Sequence, residues 1–316
     1  MTSTPAFSGI HLSHCRLEFE AERAGHLPDW LGSAWRGMLG HALKQAVCTT
    51  GLPECQPCRL VNVCPYPAIY EARPSLEPHI LRRYPQAPGP FVLRASPGGE
   101  VREGDTLSIE ILMFGRHIAD LPLVVRALLL AAQGGIGEAR IPLRLARMMS
   151  VDADGARAPI SIDELDQHQP SDLPVAANDA PPRALALEFA SPLRLRVQNR
   201  YLQPADLRFR DLFSSLLRRY SALATFYGAG EPELNFRGLV QRSEAVTLKR
   251  VHLAWHDLAR HSSRQRKKIP MGGLVGRVAL SGEALAACWP LLWLGQWLHV
   301  GKGVNMGLGQ YTIHLQ

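Results

Sequence analysis

Residues 299–311 read HVGKGVNMGLGQY and run into the alternating segment YTIHL at 311–315. Four glycines, Gly301, Gly303, Gly307 and Gly309, fall within nine residues, with Lys302 and Asn305 threaded among them. A Walker phosphate loop needs Gly-Lys followed by Ser or Thr and then a helix. Here Lys302 is followed by Gly303, and the next element reads as a strand. A dinucleotide fingerprint fails on its spacing and on the same missing helix. Glycine permits positive φ and lets a large ligand touch main-chain N–H groups. Gly301, Lys302, Gly303, Asn305 and Gly307 are therefore expected to meet a ligand; the plainer alternative is a loose hairpin loop.

Working outward, the 316 residues are 46% hydrophobic, enough for one large core or two ordinary domains and too apolar for general disorder. The opening MTSTPAFSG has neither a basic start nor an apolar run, so no secretory signal is expected. Ala284–Val300 is the most apolar stretch, but Pro290, Gln296 and His299 interrupt it. It also falls short of the roughly 20 residues of a membrane span and reads as a buried helix. A cytoplasmic protein without membrane contact is expected. The net charge of +7 is uneven: residues 183–316 hold 19 Lys+Arg against 8 Asp+Glu, and residues 1–182 hold 16 against 20. That asymmetry points to a polyanion partner, against the plain alternative of a solvated basic surface.

Apolar periodicity places strands at Ile10–Glu20, Val92–Leu93 and Thr106–Phe114, with helices over Leu31–Val47 and Leu121–Gln133. Later strands are expected at Leu185–Phe189, Leu193–Val197, Ala245–Trp255 and Leu274–Ser281, with helices over Asp206–Tyr227 and 284–298. A strand pair is read around LNFRGLVQRSEAV. Residues 151–182, acidic and proline-bearing, read as an exposed linker between domains at 1–150 and 183–316. Each half mixes strands with a few helices, which is α+β. The repetition suggests tandem ferredoxin-like domains.

In the first helix, LGSAWRGMLGHALKQAV, the apolar residues fall at i, i+3, i+4 and i+7. The opposite face carries Arg36, Gly37, Gly40, His41 and Lys44. Each helix-interior glycine costs about 1 kcal/mol relative to alanine, so two on one face imply that something wide packs there. A cationic trio beside a glycine notch suits a phosphate, and His41 can move a proton near neutral pH. An ordinary solvated face would explain the charges but not the glycines.

Of six cysteines, Cys15 and Cys288 sit in apolar elements and read as buried thiols. The others form Cys48-x6-Cys55-x2-Cys58-x5-Cys64 in a proline-rich loop. In a reducing compartment a metal is a better use of them than a disulfide, and four thiolates suit tetrahedral zinc in a structural role. An iron–sulfur cluster and four reduced thiols are the alternatives.

The stretch HDLARHSSRQRKKIPMGGLVG packs Arg260, Arg264, Arg266, Lys267 and Lys268 into nine residues, a density that binds phosphates. RHSSRQ, GGLVGRVALSG, an apolar helix and GKGVNMGLGQY together resemble the CRISPR repeat-processing endoribonucleases of the RAMP superfamily. WRGMLGHAL, GGIGEARIPLRL and SPLRLRVQ resemble other parts of that family. The resemblance implies tandem ferredoxin-like domains, with the glycine loop against RNA. It implies metal-independent cleavage of precursor CRISPR RNA within each repeat, a stem-loop, by the RNA's own 2′-hydroxyl. The mature crRNA would stay bound, other CRISPR effector subunits would be further partners, and catalysis would need no cofactor. The family's usual catalytic places hold Arg23 and His26 in the loop after the first strand, then Arg36, His41 and Lys44 on the helix. His41 is the chosen acid or base, with Arg36 and Lys44 on the phosphate; an arginine site using Arg23 or Arg36 is the rival. Arg242 is a further RNA contact. Two other readings are a non-catalytic RAMP subunit that holds guide RNA, and a zinc-stabilised RNA-binding module unrelated to CRISPR.

Overall fold

A computed structural model describes residues 7, 9–72, 84, 86–167, 171–173, 181–262 and 267–315, with backbone only at 261–262 and 267–268. The chain divides into two compact units. One comprises Gly9–Asp172 and Ala222–Gly230, the other Leu173–Ser221 and Glu231–Gln316 with the first eight residues.

The first unit runs β1 (His11–Ala21), β2 (Gly25–Trp30), α1 (Gly32–Val47), β3 (Phe91–Ala95), β4 (Pro97–Val101) and β5 (Thr106–Phe114). It continues with α2 (Leu121–Gln133), β6 (Leu143–Val151), β7 (Arg157–Pro159) and β8 (Ser171–Asp172). Its antiparallel sheet has the order β3-β5-β1-β6-β7, with β8 pairing the start of β1. The four long strands and two helices make βαββαβ with β1 central, the ferredoxin-like arrangement. Alternation in β1 sends Leu17 and Phe19 into the core, where the ring of Phe19 lies 5.3 Å from that of Trp35 on α1. Trp35, Leu39 and Leu43, one stripe of α1, are fully buried against the sheet and α2. Each such burial stabilises by about 1.5–3 kcal/mol.

The same sheet carries a charged row. Register sets Arg16, Glu110 and Arg94 side by side on β1, β5 and β3. Arg16 donates to Glu110 at 2.9 Å and to Glu18 at 2.9 Å, while His14 Nε2 lies 3.1 Å from Glu110. Burial pushes the Glu110 carboxyl up, but His14, Arg94 and Arg16 together outweigh it and hold it at about 2. Burial likewise lowers the His14 imidazole.

The second unit runs β9 (Ala184–Leu193), β10 (Arg196–Val197), β11 (Arg200–Tyr201), α3 (Phe209–Tyr227, whose residues from Ala222 onward belong to the first unit), α4 (Phe236–Ser243) and β12 (Thr247–His256). It continues with β13 (Ala259–Ser262), β14 (Lys267–Pro270), β15 (Gly273–Ser281), α5 (Leu285–Leu298) and β16 (Tyr311–Leu315). Its sheet order, β12-β15-β9-β16, repeats the first unit's topology with β9 central. The fold is tandem ferredoxin-like α+β.

Three expectations are corrected. Residues 151–167 and 171–172 are not a linker but part of the first unit: β7 pairs β6, β8 pairs β1, and Leu165 is buried in the first core. Buried Leu165 and partly buried Ile160 and Ile162 outweigh the acidic composition there, because packing on the core needs only a few positions. The strand pair read around residues 234–246 is instead α4, entered through Asn235, whose side chain accepts from the Gly238 N–H at 2.9 Å. The strand read over Leu193–Val197 breaks after Leu193, and Arg196–Val197 turns back as a hairpin with Arg200–Tyr201.

Candidate active site and nucleic-acid interface

On α1 the predicted catalytic residues occupy different surroundings. Arg36 is held by Tyr70, which belongs to a π-helical turn over Pro67–Glu71. Its Nη1 donates to the Tyr70 hydroxyl at 3.0 Å, and its guanidinium lies 4.3 Å from the Tyr70 ring centre. The Arg36 Nε is buried without a partner among the described residues. Lys44 donates to the Pro53 carbonyl at 2.8 Å and sits 5.6 Å over the Tyr66 ring, and Tyr66 stacks on Tyr70 at 5.4 Å. His41 is exposed, with no partner among the described residues.

The two helix glycines part company. A Cβ on Gly40 would stand 2.2 Å from the Tyr70 ring, so that notch is filled by the protein itself. Over Gly37 nothing lies within 4 Å. Only Gly37 leaves room for a ligand beside His41, and the expectation of a shared notch is corrected to that extent.

Arg23 and His26 stand apart from this face. Arg23 donates to the carbonyls of Ala139 and Arg140, the second at 3.0 Å, which ties the end of β1 to the glycine turn before β6. His26, exposed on β2, pairs with Glu100 on β4 at 3.0 Å.

The four loop cysteines all line one small cavity. Among the described residues no three thiol, imidazole or carboxylate groups stand at metal-ligand spacing. The Cys48 thiol is held below its usual range, first by the Gly51 backbone and then by the Thr50 hydroxyl.

In the second unit the glycine loop is mostly bonded to its own scaffold. Gly301, Gly303, Gly307 and Gly309 all have φ between 69° and 92°. The N–H groups of Val300, Lys302 and Gly309 donate to Gly309, Arg194 and Pro192 carbonyls at 2.9–3.1 Å. Ser191 donates to the Gly307 carbonyl at 2.8 Å and accepts from the Gln310 N–H at 2.8 Å. His299 ends α5 fully buried, its Nδ1 3.2 Å from the Leu308 carbonyl. The expectation that the glycines serve to bare their N–H groups is corrected for most of the loop: they let it turn and lie close on Arg194 and Val300. Gly307 is buried, whereas Gly301, Gly303 and Asn305 are half-buried and Lys302 is exposed, so solvent reaches the loop along this rim.

Arg242 is exposed on α4, and Arg260 is half-buried on β13. Arg264 and Arg266 lie outside the described residues. Lys267 and Lys268 occupy β14, paired in register with Ser262 and His261.

Residues 10–173 match the AF_1859_N family, described as an N-terminal domain, and residues 187–311 match the CRISPR-associated endoribonuclease Cas6 family. The AF_1859_N match spans more than half of the chain, which therefore belongs to that family, and its later part, residues 187–311, is similar to the Cas6 endoribonucleases. An uncharacterized protein of Archaeoglobus fulgidus is 26% identical over 303 residues, 91% of this chain and 93% of that protein. A Thermus thermophilus Cas6 product complex superposes with a TM-score of 0.58 at 18% identity, over 96% of this chain and 99% of that one. A partial Cas6-RT-Cas1–Cas2 complex gives 0.62 at 15% identity, over 98% of this chain and 47% of that one. At such identities these two likenesses show the fold.

The structure also brings together basic residues that were not singled out beforehand. Arg194 stacks 4.5 Å over the Tyr201 ring, Arg196 lies 6.0 Å from it, and Arg200 is exposed on the same hairpin. The Arg194 carbonyl receives the Lys302 N–H, so this hairpin adjoins the rim of the glycine loop. The sequence signal was available as RLR followed by NRY, a basic-aromatic pattern.

Proposed function

We propose that this chain cleaves precursor CRISPR RNA within the repeat, using the RNA's 2′-hydroxyl as nucleophile, and then holds the mature crRNA. The supporting observation is the α1 face: an unengaged imidazole at His41, open space over Gly37, and cations at Arg36 and Lys44 fixed by two stacked tyrosines. The 2′-oxygen attacks the adjacent phosphorus and gives up its proton to a base, while the P–O5′ bond breaks. An acid protonates the leaving 5′-oxygen, giving a 2′,3′-cyclic phosphate and a 5′-hydroxyl. His41 serves as the acid or base, and the Arg36 guanidinium with the Lys44 ammonium offsets charge on the phosphorane. The α1 sequence GSAWRGMLGHALKQAV has no carboxylate, and its cations disfavour a divalent ion, so the reaction is read as metal-independent. RNA binding is assigned to the loop rim, the Arg194–Tyr201 hairpin and the β13–β14 ribbon. One structural neighbour is a Cas6 product complex and another an assembly with Cas1–Cas2, which supports RNA and CRISPR proteins as partners.

The test uses the repeat RNA in single-turnover cleavage. RNA with a 2′-deoxy scissile nucleotide should bind and stay intact, and cleavage of normal RNA should persist in EDTA. His41→Ala should slow the chemical step about 10²–10⁴-fold with little change in affinity. Wild-type cleavage by His41→Ala, with loss in Arg36→Ala, would replace the histidine mechanism by an arginine one. Tight binding without cleavage under every condition would make the chain a guide-RNA-holding subunit.

A further inference from the structure

The proposed chemistry makes no use of the cysteine loop between α1 and the π-helical turn. Cys15 and Cys288 are buried in the two cores, whereas Cys48, Cys55, Cys58 and Cys64 are half-buried and converge on a single cavity of about 30 Å³. Short turns fold the loop around it: Cys58 N–H donates to the Cys55 carbonyl at 3.0 Å and Cys64 N–H to the Leu60 carbonyl at 2.9 Å. The Thr50 hydroxyl lies 3.8 Å from the Cys48 sulfur and 3.7 Å from that of Cys58, so these two sulfurs are at most 7.5 Å apart. The loop has little core of its own, and Leu52, Leu60 and Val63 are 38%, 44% and 79% exposed. Such a segment gains its order from a cross-link.

We infer that this cavity is a zinc site in which the four thiolates of Cys48, Cys55, Cys58 and Cys64 hold one ion. Four sulfurs complete a tetrahedral shell and leave no open position, so the ion is structural. The sulfurs do not yet stand at ligand spacing among the described residues, so binding draws the loop inward and releases the thiol protons. The effect reaches α1, because the same loop holds Lys44 through Pro53 and Tyr66.

The experiment takes the full chain purified without chelator. Elemental analysis should find about one zinc per chain, and alkylation of the native protein should spare four thiols until a chelator is added. Demetallated protein titrated with cobalt(II) should saturate at about one equivalent, with the sulfur-to-metal and visible bands of tetrahedral thiolate cobalt. Those bands should survive Cys288→Ser and vanish in Cys55→Ser. The wild-type titration stands whether or not Cys55→Ser folds. Four freely alkylated thiols in metal-free native protein with no cobalt bands overturn the inference, as does iron with stoichiometric sulfide in place of zinc.

Discussion

Gly37 and Gly40, three residues apart on α1, should respond oppositely to the same methyl group. Alanine is about 1 kcal/mol better than glycine in a helix interior, and a Cβ on Gly37 meets nothing within 4 Å. Gly37→Ala should therefore stabilise its unit by about 1 kcal/mol, a rise of about 2–4 °C in Tm for a unit of this size. At Gly40 the methyl would stand 2.2 Å from the Tyr70 ring, which must swing away. That movement gives up the Arg36 hydrogen bond and ring stacking, together about 1–2.5 kcal/mol, against the same helical gain. Gly40→Ala should thus be neutral to slightly destabilising, by up to about 1.5 kcal/mol. Activity should fall in both. In Gly37→Ala the methyl enters the space assigned to RNA, and in Gly40→Ala the Arg36 guanidinium loses its orientation, where a misplacement of about 1 Å costs on the order of 100-fold. Urea denaturation and single-turnover cleavage, measured on the same preparations, separate the two effects. A stabilised Gly37→Ala that cleaves at the wild-type rate would remove RNA from this face.

Other expectations follow from the same structure. Glu110, held at about 2, contributes stability that is complete above its unfolded value near 4.5 and is lost as pH falls through that interval. The loss should be about 2–3 kcal/mol, added to one beginning below about pH 6.5 as unfolded His14 gains a proton. Glu110→Gln should flatten the acid limb in urea titrations; an unchanged limb refutes the assignment. Gly309→Ala places a methyl 1.8 Å from the Val300 carbonyl at φ +69°, and should destabilise by about 3 kcal/mol or more. Gly303→Ala meets the flexible side chains of Leu308 and Met306 and should cost about 1–2 kcal/mol; equal costs would contradict the packing account. Neutralising Arg196 and Arg200 should reduce the slope of log affinity against log salt by about 1.4–1.8, measured by filter binding of repeat RNA. No change in slope would move the RNA off the hairpin.

Long periodic segments were legible in the sequence because burial enforces their pattern: α1, β5, α2, β15 and α5 fall within one or two residues of their expected ends. Non-local pairing was not legible. β2 and β4 form a ribbon across some 70 residues of chain, with Pro28, Pro97 and three glycines obscuring any alternation. Eight residues of α4 carry too little periodicity to outvote a strand reading, although Asn235 three residues before Gly238 marked a helix start. At the site, residue types on α1 were readable, but what fills the Gly40 notch was not: Tyr70 lies 30 residues onward, beyond any local signal. The loop glycines were read as ligand-facing because glycine serves a close ligand and a close backbone equally well.

The position of β16 bears on how the chain is made. It pairs β9 from Tyr311 opposite Phe189 to Leu315 opposite Leu185, on the side of β9 that β15 leaves open. At translation speeds of about 5–20 residues per second, the 122 residues from Phe189 to Tyr311 take roughly 6–24 s to synthesise. Both edges of this apolar central strand are bare until β15 is made at residues 273–281, and one stays bare until β16 follows, a template for pairing with neighbouring chains on the same message. Codon usage over residues 194–310 therefore sets the length of exposure, and recombinant yield should depend on holdase chaperones and on translation rate more than on the stability of the finished protein.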